Sequence, residues 1–284
     1  MLSDKQIKRI QQLQTQCEDY DQIELKLNWD MLRERKDDSL DFFMWKEDEL
    51  IAYLALYGFG STAEVCGMVK PSERRNGYFS KLWSQASKVI QHNDFDKVLF
   101  NAPGTSDSAK GWLADQPCDY SFSEFHMHWN EQDLAETIDI TMRESTIEDK
   151  VFEIALDAEA FSLSLADAES YYTERLSRAK ERRYIIEADG SSVGKIRVTR
   201  SLDESYLSGF AITADSRGKG YGSQALQWIV KQEIPTGNTI KLDVETKNDN
   251  ALKLYERVGF VHQQRQDYYE VDMGLLKARL SVCR

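Results

Sequence analysis

The sequence lacks the features that mark several classes of protein. It has only 4 prolines in 284 residues, and 41% of its residues are hydrophobic, which is unlike an extended disordered chain. No segment approaches the roughly 18 consecutive apolar residues of a membrane helix. The opening residues, MLSDKQIKRIQQLQ, also lack the apolar core of a signal peptide. These absences predict a globular protein that is not attached to a membrane.

Cysteine is scarce and scattered. The 4 cysteines form no CxxC pair and show no zinc-ligand spacing; they are Cys17, Cys66, Cys118 and Cys283. Such usage is typical of reduced thiols and favours a cytoplasmic location. His126 and His128 alternate along a predicted strand, but without a third ligand a structural or exposed role is favoured over a metal site. We therefore predict no metal cofactor.

The chain contains fewer basic than acidic residues. The chain has 36 lysines and arginines against 48 aspartates and glutamates, and its formal net charge is −12. The basic residues are interspersed with acidic ones, so electrostatic binding to nucleic acid or to an anionic membrane is disfavoured. A cationic partner is easier for this chain to attract.

The chain repeats itself. When Arg74 is placed over Arg217, an offset of 143 residues, the segment SERRNGYFSKL (72–82) lies over DSRGKGYGSQA (215–225). At this constant offset, strand-like and helix-like patterns coincide from about residue 42 to residue 129. A period of this length fits a duplicated domain, and 284 residues suffice for two domains of ordinary size.

Each copy has the pattern of one small domain. Opening helices precede a hairpin, a third strand, a glycine turn, a helix, a strand, a short helix and a closing strand. The order predicts an α/β or α+β fold class with two tandem domains, each a mixed, mostly antiparallel sheet flanked by helices. We place the first copy at 1–137 and the second at 138–284.

Three glycines alternate just before a predicted helix of the second copy, in RGKGYG (217–222). A glycine turn between a strand and a helix makes an anion site, because the first N–H groups of the helix are unpaired and its dipole is positive there. The spacing is not that of a dinucleotide fingerprint, which needs a glycine where Ser223 stands. It is not a P-loop either, because Gly222 is followed by Ser223 and Gln224.

The same hexapeptide resembles R/Q-x-x-G-x-G/A, the pyrophosphate loop of the GNAT acetyltransferases. A second stretch, NDNALKLYERVGF (248–260), resembles the N-x-x-A-x-x-L-Y-x-x-x-G-F motif of that family at the expected distance. Either stretch alone has an ordinary explanation, as loop chemistry or as an amphipathic helix that ends at glycine. Together, in this order, they carry the resemblance over residues 138–273.

The resemblance implies an acetyl-CoA-dependent N-acetyltransferase. It implies that coenzyme contacts come from the strand before the turn, from the turn and from the motif asparagine: Phe210, Ala211, Ile212, Arg217, Gly218, Lys219, Gly220, Tyr221, Gly222, Ser223 and Asn248. The backbone N–H groups around Phe210 are expected to stabilise the oxyanion of the reaction. Asn248 is expected to hold the coenzyme arm, to cap the following helix, or both.

Two residues are candidates for proton transfer. Tyr255 matches the general-acid tyrosine of many family members, and a phenol stays protonated at neutral pH; the alternative is an aromatic core role. Asp243 in KLDVE matches the glutamate of L-E-V in the ribosomal-protein alanine acetyltransferases, one branch of the family. Its shorter side chain implies a bridging water if it is the general base. Glu245, on the same side of the strand, is the second candidate, and an exposed acidic strand end is the alternative for both.

The first copy is expected to be non-catalytic. At the constant offset, three working positions of the second copy fall on aromatic residues: Gly222 on Phe79, Tyr255 on Trp112 and Asp243 on Phe100. We expect this copy to serve as a structural or substrate-shaping partner. The resemblance leaves open whether it binds acetyl-CoA.

The sequence does not specify the acceptor or the oligomeric state. A small-molecule amine and a peptide N-terminus are both open as acceptors. The acidic chain favours cationic acceptors such as polyamines or aminoglycosides, whereas the LDV resemblance favours peptide termini. The alternative function is a non-catalytic acetyl-CoA-binding regulator or scaffold, which predicts binding without turnover.

Overall fold

The structure is a computed structural model of the chain, and it describes residues 2–36, 38–93, 95–135, 139–176, 181–201 and 203–282. The chain folds as two compact units. Unit 1 consists of Met1–Ser123 and Gln264–Arg284, and unit 2 of Glu124–Gln263. The predicted boundary between the two copies, at residues 137 and 138, lies outside the described residues, as does Cys283.

Unit 1 contains five described helices and most of five strands. The helices are α1 (Asp4–Asp21), α2 (Trp29–Glu34), α3 (Tyr78–His92), α4 (Asp107–Leu113) and α9 (Met273–Val282). Four strands lie wholly in this unit: β1 (Asp41–Lys46), β2 (Glu49–Phe59), β3 (Thr62–Val69) and β4 (Lys97–Pro103). Residues 264–271 of the strand β11 (Phe260–Val271) belong to this unit, and residues 266–270 pair with β4. The sheet order within the unit is β1-β2-β3-β4-β11.

Unit 2 has the same plan with one further strand, β6, at the edge of its sheet. Its helices are α5 (Lys150–Ala160), α6 (Leu165–Leu176), α7 (Tyr221–Glu233) and α8 (Asp249–Val258). Its own strands are β6 (Thr141–Glu144), β7 (Glu181–Ala188), β8 (Ser191–Arg200), β9 (Glu204–Ile212) and β10 (Thr239–Glu245). Residues 124–128 of β5 (Cys118–Trp129) pair with β10, so the order within the unit is β5-β10-β9-β8-β7-β6.

The strand directions confirm the predicted fold class. Among the described strands of each unit one neighbouring pair is parallel, β3 with β4 and β9 with β10. The other recorded pairs are antiparallel. Each unit is therefore a mixed, mostly antiparallel sheet with helices packed against it.

The core of unit 2 lies between its sheet and the helices α7 and α8. The α7 residues Leu226, Ile229 and Val230 recur at helical spacing and are fully buried. They pack with Leu242 and Val244 of β10. In the part of the chain that the structure describes, no helix is long and apolar enough to cross a membrane.

The glycine turns of the two units are equivalent at the predicted offset. Gly77 and Gly220, which lie 143 positions apart, precede α3 and α7 with φ angles of 75° and 84°. In each unit the arginine of the turn, Arg74 or Arg217, donates from Nε to the carbonyl of the last residue of the preceding strand. The duplicated turn therefore has one geometry in both units.

Elsewhere the offset is 142 positions, so the prediction of one constant offset is wrong. The last parallel pair is Val65–Phe100 in unit 1 and Leu207–Leu242 in unit 2, and both partners differ by 142. The same 142 positions separate the N-cap residues of α4 and α8. For the three candidate site residues of unit 2, the structural counterparts in unit 1 are Phe79 for Gly222, Leu113 for Tyr255 and Asn101 for Asp243.

A β-bulge in β9 explains the change of offset. Between the pairs Lys195–Ala211 and Arg197–Ser208, one residue of β8 faces two residues of β9. Gly209, one of those two, has a φ of 54°, and a Cβ there would lie 2.0 Å from the guanidinium of Arg197. The β2–β3 pairing of unit 1 is continuous. The additional residue in unit 2 shifts the register up to the glycine turn, and the connection after α7 restores it.

Buried charges hold α5 on the sheet of unit 2. Asp157 of α5 is 3% exposed, and its carboxylate lies 2.5 Å from Nζ of Lys195 and 3.2 Å from Nη1 of Arg197. Lys195 also donates to the carbonyl of Glu153. Burial lowers the pKa of Lys195 to about 8. This network fixes the position of α5 at the cost of desolvating three charges.

We expect Asp157→Ala to lower the free energy of unfolding by about 3–5 kcal/mol, because it leaves Lys195 and Arg197 buried without their carboxylate. Urea unfolding followed by circular dichroism measures this loss. The control is Glu169→Gln, which removes the exposed ion pair with Lys150 and should leave the midpoint unchanged. Equal midpoints for the two variants would contradict the structural role of Asp157.

Candidate active site of unit 2

The turn before α7 presents unpaired backbone donors. Gly218 and Gly220 both have positive φ, at 77° and 84°, and open space surrounds the position of each missing Cβ. No side chain caps the N-terminus of α7, so the N–H groups of its first turn have no partner in the helix. The turn therefore has the geometry of an anion site at the positive end of a helix dipole.

The side chains of the turn form hydrogen bonds within unit 2 that stabilise the turn, rather than lining a charged pocket. Arg217 donates from Nε to the Ile212 carbonyl at 2.9 Å and from Nη2 to Glu159 at 3.0 Å. Tyr221 donates to Asp189 at 3.3 Å. Ser223 accepts a hydrogen bond from the side chain of Gln227, and Lys219 is exposed.

Gly222 leaves a narrow space beside the start of α7. A Cβ at this position would lie 3.3 Å from Cδ2 of Leu254 and 3.4 Å from Cζ of Phe210. A methyl group would press on both neighbours, and a ring would displace them. The glycine keeps the helix start accessible from the side of Phe210.

The strands β9 and β10 separate beside this turn. Their parallel pairing begins at Glu204–Thr239 and ends at Leu207–Leu242. Beyond it, β9 continues to Ile212 and β10 to Glu245 without pairing to one another. Phe210, Ala211 and Ile212 thus border one side of a cleft. Asp243 is the first residue of β10 on the other side.

Tyr255 is a buried phenol of α8 next to this cleft. It is 8% exposed and packs against Phe210 and Phe260, with ring centroids 6.4 Å and 6.0 Å away. Burial raises its pKa to about 12. Among the described residues none accepts a hydrogen bond from its hydroxyl. The group is therefore protonated at neutral pH.

Asp243 forms a pair with a histidine that the sequence did not connect to it. Asp243 and His126 are direct cross-strand neighbours in the antiparallel β10–β5 ladder. Oδ1 of Asp243 contacts Nδ1 of His126, and the side chains are 9% and 20% exposed. His126, for which a structural or exposed role was expected, is thus part of a carboxylate–imidazole pair. Glu245 lies opposite Glu124 in the same ladder and is exposed.

The two faces of the sheet separate these groups. Leu242 and Val244 pack with Tyr255 on the α7–α8 face. Alternation along β10 therefore places Asp243 on the opposite face. On β8, Ile196 belongs to the core on the α7–α8 face, so its neighbour Lys195, which contacts α5, lies on the opposite face. The Asp243–His126 pair consequently lies on the face that carries α5, and Tyr255 on the other.

Asn248 is an N-cap. Its Oδ1 accepts a hydrogen bond from the Ala251 N–H at 3.1 Å, and its own N–H donates to the carbonyl of Glu245. The predicted cap is confirmed, and a contact with the coenzyme arm stays a prediction. No group of three or more His, Cys, Asp or Glu side chains in the described ranges is arranged to hold a metal ion.

Unit 1 has a cavity at its own glycine turn. Its volume is about 480 Å³, and residues of β3, β4, α3 and α4 line it. The Phe79 ring packs edge-on against Trp112 at 4.7 Å and fills the space where a Cβ of Gly67 would be. The counterparts of Tyr255 and Asp243, Leu113 and Asn101, have no phenol and no carboxylate. At these two positions the cavity thus has neither a phenol nor a carboxylate, although Asp21, Glu73, Asp115 and Tyr78 also line it.

The comparisons with known proteins agree with this geometry. The sequence profile described as "Acetyltransferase (GNAT) family" matches residues 148–260. This region of the chain therefore belongs to the GNAT acetyltransferase family, and the two-unit fold is a tandem arrangement of that fold. No curated protein matches the chain significantly.

Solved structures share the fold at low identity. A GCN5-related N-acetyltransferase from Sphaerobacter thermophilus has a TM-score of 0.75 and 19% identity, with 92% of this chain and 91% of that chain covered. A GNAT-family acetyltransferase from Colwellia psychrerythraea has a TM-score of 0.61 and 14% identity, with 96% and 98% covered. A tandem GNAT protein from the clavulanic acid biosynthesis pathway has a TM-score of 0.60 and 16% identity, with 81% and 82% covered.

We expect Asn248→Ala to lower the free energy of unfolding by about 0.5–2 kcal/mol, because the variant loses the cap of α8. Asn248→Asp retains an accepting oxygen and should keep that stability, as measured by urea unfolding. A calorimetric titration of the Asp variant with acetyl-CoA then tests the second role, because a binding loss without a stability loss indicates a coenzyme contact. An unchanged stability of the Ala variant would contradict the cap.

Proposed function

We propose that this protein is an N-acetyltransferase that transfers an acetyl group from acetyl-CoA to a primary amine, and that unit 2 is its catalytic domain. The observation that carries the proposal is the cleft between β9 and β10. At one end it has the uncapped start of α7. Phe210–Ile212 border it on one side and Asp243 on the other, and Tyr255 lies on the α7–α8 face beside it. Membership of residues 148–260 in the acetyltransferase family supports the same reaction class.

The residues present fit a coenzyme A diphosphate. The turn from Arg217 to Gly222 offers backbone N–H donors at a helix start, and the space beside Gly222 would be filled by any larger residue. Lys219 is an exposed cation in that turn. Phe210, Ala211 and Ile212 supply an unpaired strand edge that suits the extended pantetheine arm.

Bound acetyl-CoA supplies an acetyl thioester, and the chain supplies orientation and proton transfer. Backbone N–H groups around Phe210 are proposed to stabilise negative charge on the carbonyl oxygen. Tyr255 donates its phenolic proton to the sulphur that leaves. Asp243, with its partner His126, removes the proton from the acceptor nitrogen. We propose Glu245 for none of these steps, because it lies exposed at the strand end.

The arrangement of faces sets the direction of approach. Tyr255 lies on the α7–α8 face, and the Asp243–His126 pair lies on the face that carries α5. We propose that the leaving thiol stays on the first face, and that the amine enters from the second. The small-molecule amine and the peptide N-terminus remain the two acceptor classes, and the net charge of −12 favours cationic ones.

Unit 1 is proposed to be non-catalytic. It has the turn and the separated strands, but Leu113 and Asn101 stand at the positions of Tyr255 and Asp243. Its continuous β2–β3 pairing also lacks the bulge that unit 2 has beside Phe210. The three described cysteines are free thiols, and this supports the proposed cytoplasmic location.

We expect Gly222→Phe to abolish binding of acetyl-CoA, because the ring would collide with Leu254 and Phe210 at the start of α7. Isothermal calorimetry of the wild type should give one site per chain, and the variant should give none. The matched control is Phe79→Leu at the equivalent position of unit 1, which should leave one site. A binding site that survives in Gly222→Phe would place the coenzyme elsewhere. If the wild type does not bind acetyl-CoA, the acetyl-CoA proposal is wrong.

We expect Tyr255→Phe to lower kcat by roughly 10²–10⁴-fold, because a general acid typically contributes that much. Affinity for acetyl-CoA should be unchanged, since the ring and its packing remain. The measurement is thiol release from acetyl-CoA with an amine that the wild type acetylates. Tyr20→Phe, at a residue of unit 1 that is 71% exposed, is the control, and equal rates for both variants would remove Tyr255 from the mechanism.

A further inference from the structure

We infer that His126, rather than Asp243, is the group that takes the proton from the acceptor amine, and that Asp243 positions its imidazole. The inference deepens the proposed function and rests on it. It also has a structural consequence. The catalytic domain would use a residue that lies before the predicted copy boundary, within the 124–129 part of β5.

The exposure and bonding of the pair favour the histidine. The carboxylate of Asp243 is the more buried partner, at 9% against 20%, and one of its oxygens is engaged by Nδ1 of His126. The imidazole is the more accessible group. Among the described residues none forms a hydrogen bond with its second nitrogen, Nε2. An amine that enters from the α5 face therefore finds Nε2 as the accessible acceptor.

The chemistry of the pair agrees with this assignment. When Nδ1–H is donated to a carboxylate, the neutral imidazole has its free electron pair on Nε2. A neutral imidazole can accept a proton and the imidazolium can release it, which suits a base that must alternate between its two forms during turnover. The buried carboxylate fixes the tautomer and stabilises the imidazolium that forms. The short side chain of Asp243 then needs no bridging water.

The proton and electron balance is complete. The acceptor ammonium gives one proton to Nε2 of His126, and the freed electron pair of the nitrogen forms the C–N bond. The C–S bond breaks with its electron pair on sulphur, and Tyr255 gives its proton to that sulphur. The second proton of the acceptor nitrogen restores the Tyr255 hydroxyl, and His126 releases its proton to solvent. One proton is released per acetyl group transferred.

Unit 1 provides an internal comparison. The ladder pair that corresponds to Asp243–His126 is Asn101–Tyr268. An amide and a phenol replace the carboxylate and the imidazole, and the Tyr268 hydroxyl is engaged by Lys26 at 2.5 Å. The unit that lacks Tyr255 thus also lacks both members of this pair. The acid and the base occur together in unit 2 and are absent together from these positions of unit 1.

Other titratable groups share the face of the pair. Alternation along the two strands places Glu124 and His128 of β5, and Lys241 and Glu245 of β10, on the same side as His126. On the α5 face the buried charges Asp157, Lys195 and Arg197 form their own network. A pH dependence must therefore be assigned to His126 by substitution.

The test compares His126→Gln, Asp243→Asn and the matched control His128→Gln in the full chain. Thiol release from acetyl-CoA is followed with a panel of spermidine, an aminoglycoside and a peptide with an N-terminal alanine. We expect kcat/KM of His126→Gln to fall by roughly 10²–10⁴-fold and that of His128→Gln to change less than about threefold. The wild-type rate should fall as the pH decreases, because protonation of the imidazole removes the acceptor. In Asp243→Asn this fall should move to lower pH, because the imidazolium loses its counter-ion.

A nitrogen-15 NMR titration of the histidines tests, independently of activity, whether Asp243 fixes the tautomer of His126. We expect His126 of the wild type to carry its proton on Nδ1, and Asp243→Asn to lose that preference. Retention of activity within about threefold in His126→Gln, or an Nε2–H tautomer in the wild type, would overturn the assignment. If no amine of the panel is acetylated, the proposed function fails, and the NMR result alone supports or overturns the pair.

Discussion

The separation of two parallel strands is the constraint on which the rest of unit 2 depends. Beyond Leu207–Leu242, β9 and β10 leave their facing backbone groups without a strand partner. Unpaired backbone groups need water or a ligand as partner, so the cleft is a place where an extended molecule can add its own hydrogen bonds. The turn at Gly218–Gly222 follows five residues after β9, and Arg217 before it donates to the carbonyl of Ile212, the last residue of β9. Since Gly222 lies against Phe210 of β9, the start of α7 borders the cleft.

Comparison of the two units separates the backbone features that both share from the reactive side chains that differ between them. Both units have the parallel pair, its separation, the left-handed glycine and the bracing arginine. Only in unit 2 do the described residues place a phenol, a carboxylate and an imidazole beside the cleft, together with a bulge in the strand that borders it. The two copies can thus share a fold and differ in these three side chains, because the backbone geometry does not depend on them. Fold and activity are separate properties of each copy.

Buried charge is concentrated on the face of unit 2 from which the acceptor is proposed to enter. The Asp157 network places α5 against β8, and the same Arg197 lies over Gly209 at the bulge. Packing of α5 and the shape of β9 are therefore linked through one guanidinium. An ion network of this kind costs more desolvation than apolar packing of the same volume. It gives this face a defined position relative to the cleft.

The sequence by itself determined the two-copy plan, the glycine turn, the N-cap at Asn248 and the positions of Tyr255 and Asp243, because these depend on residues close in sequence. Motif spacing and periodicity report such local structure directly. Only the tertiary structure decided the 142-residue register, since one bulge residue is invisible to an ungapped comparison. Only it joined His126 to Asp243 as well. Strand pairing brings together residues more than a hundred positions apart, and no local pattern specifies which strands become neighbours.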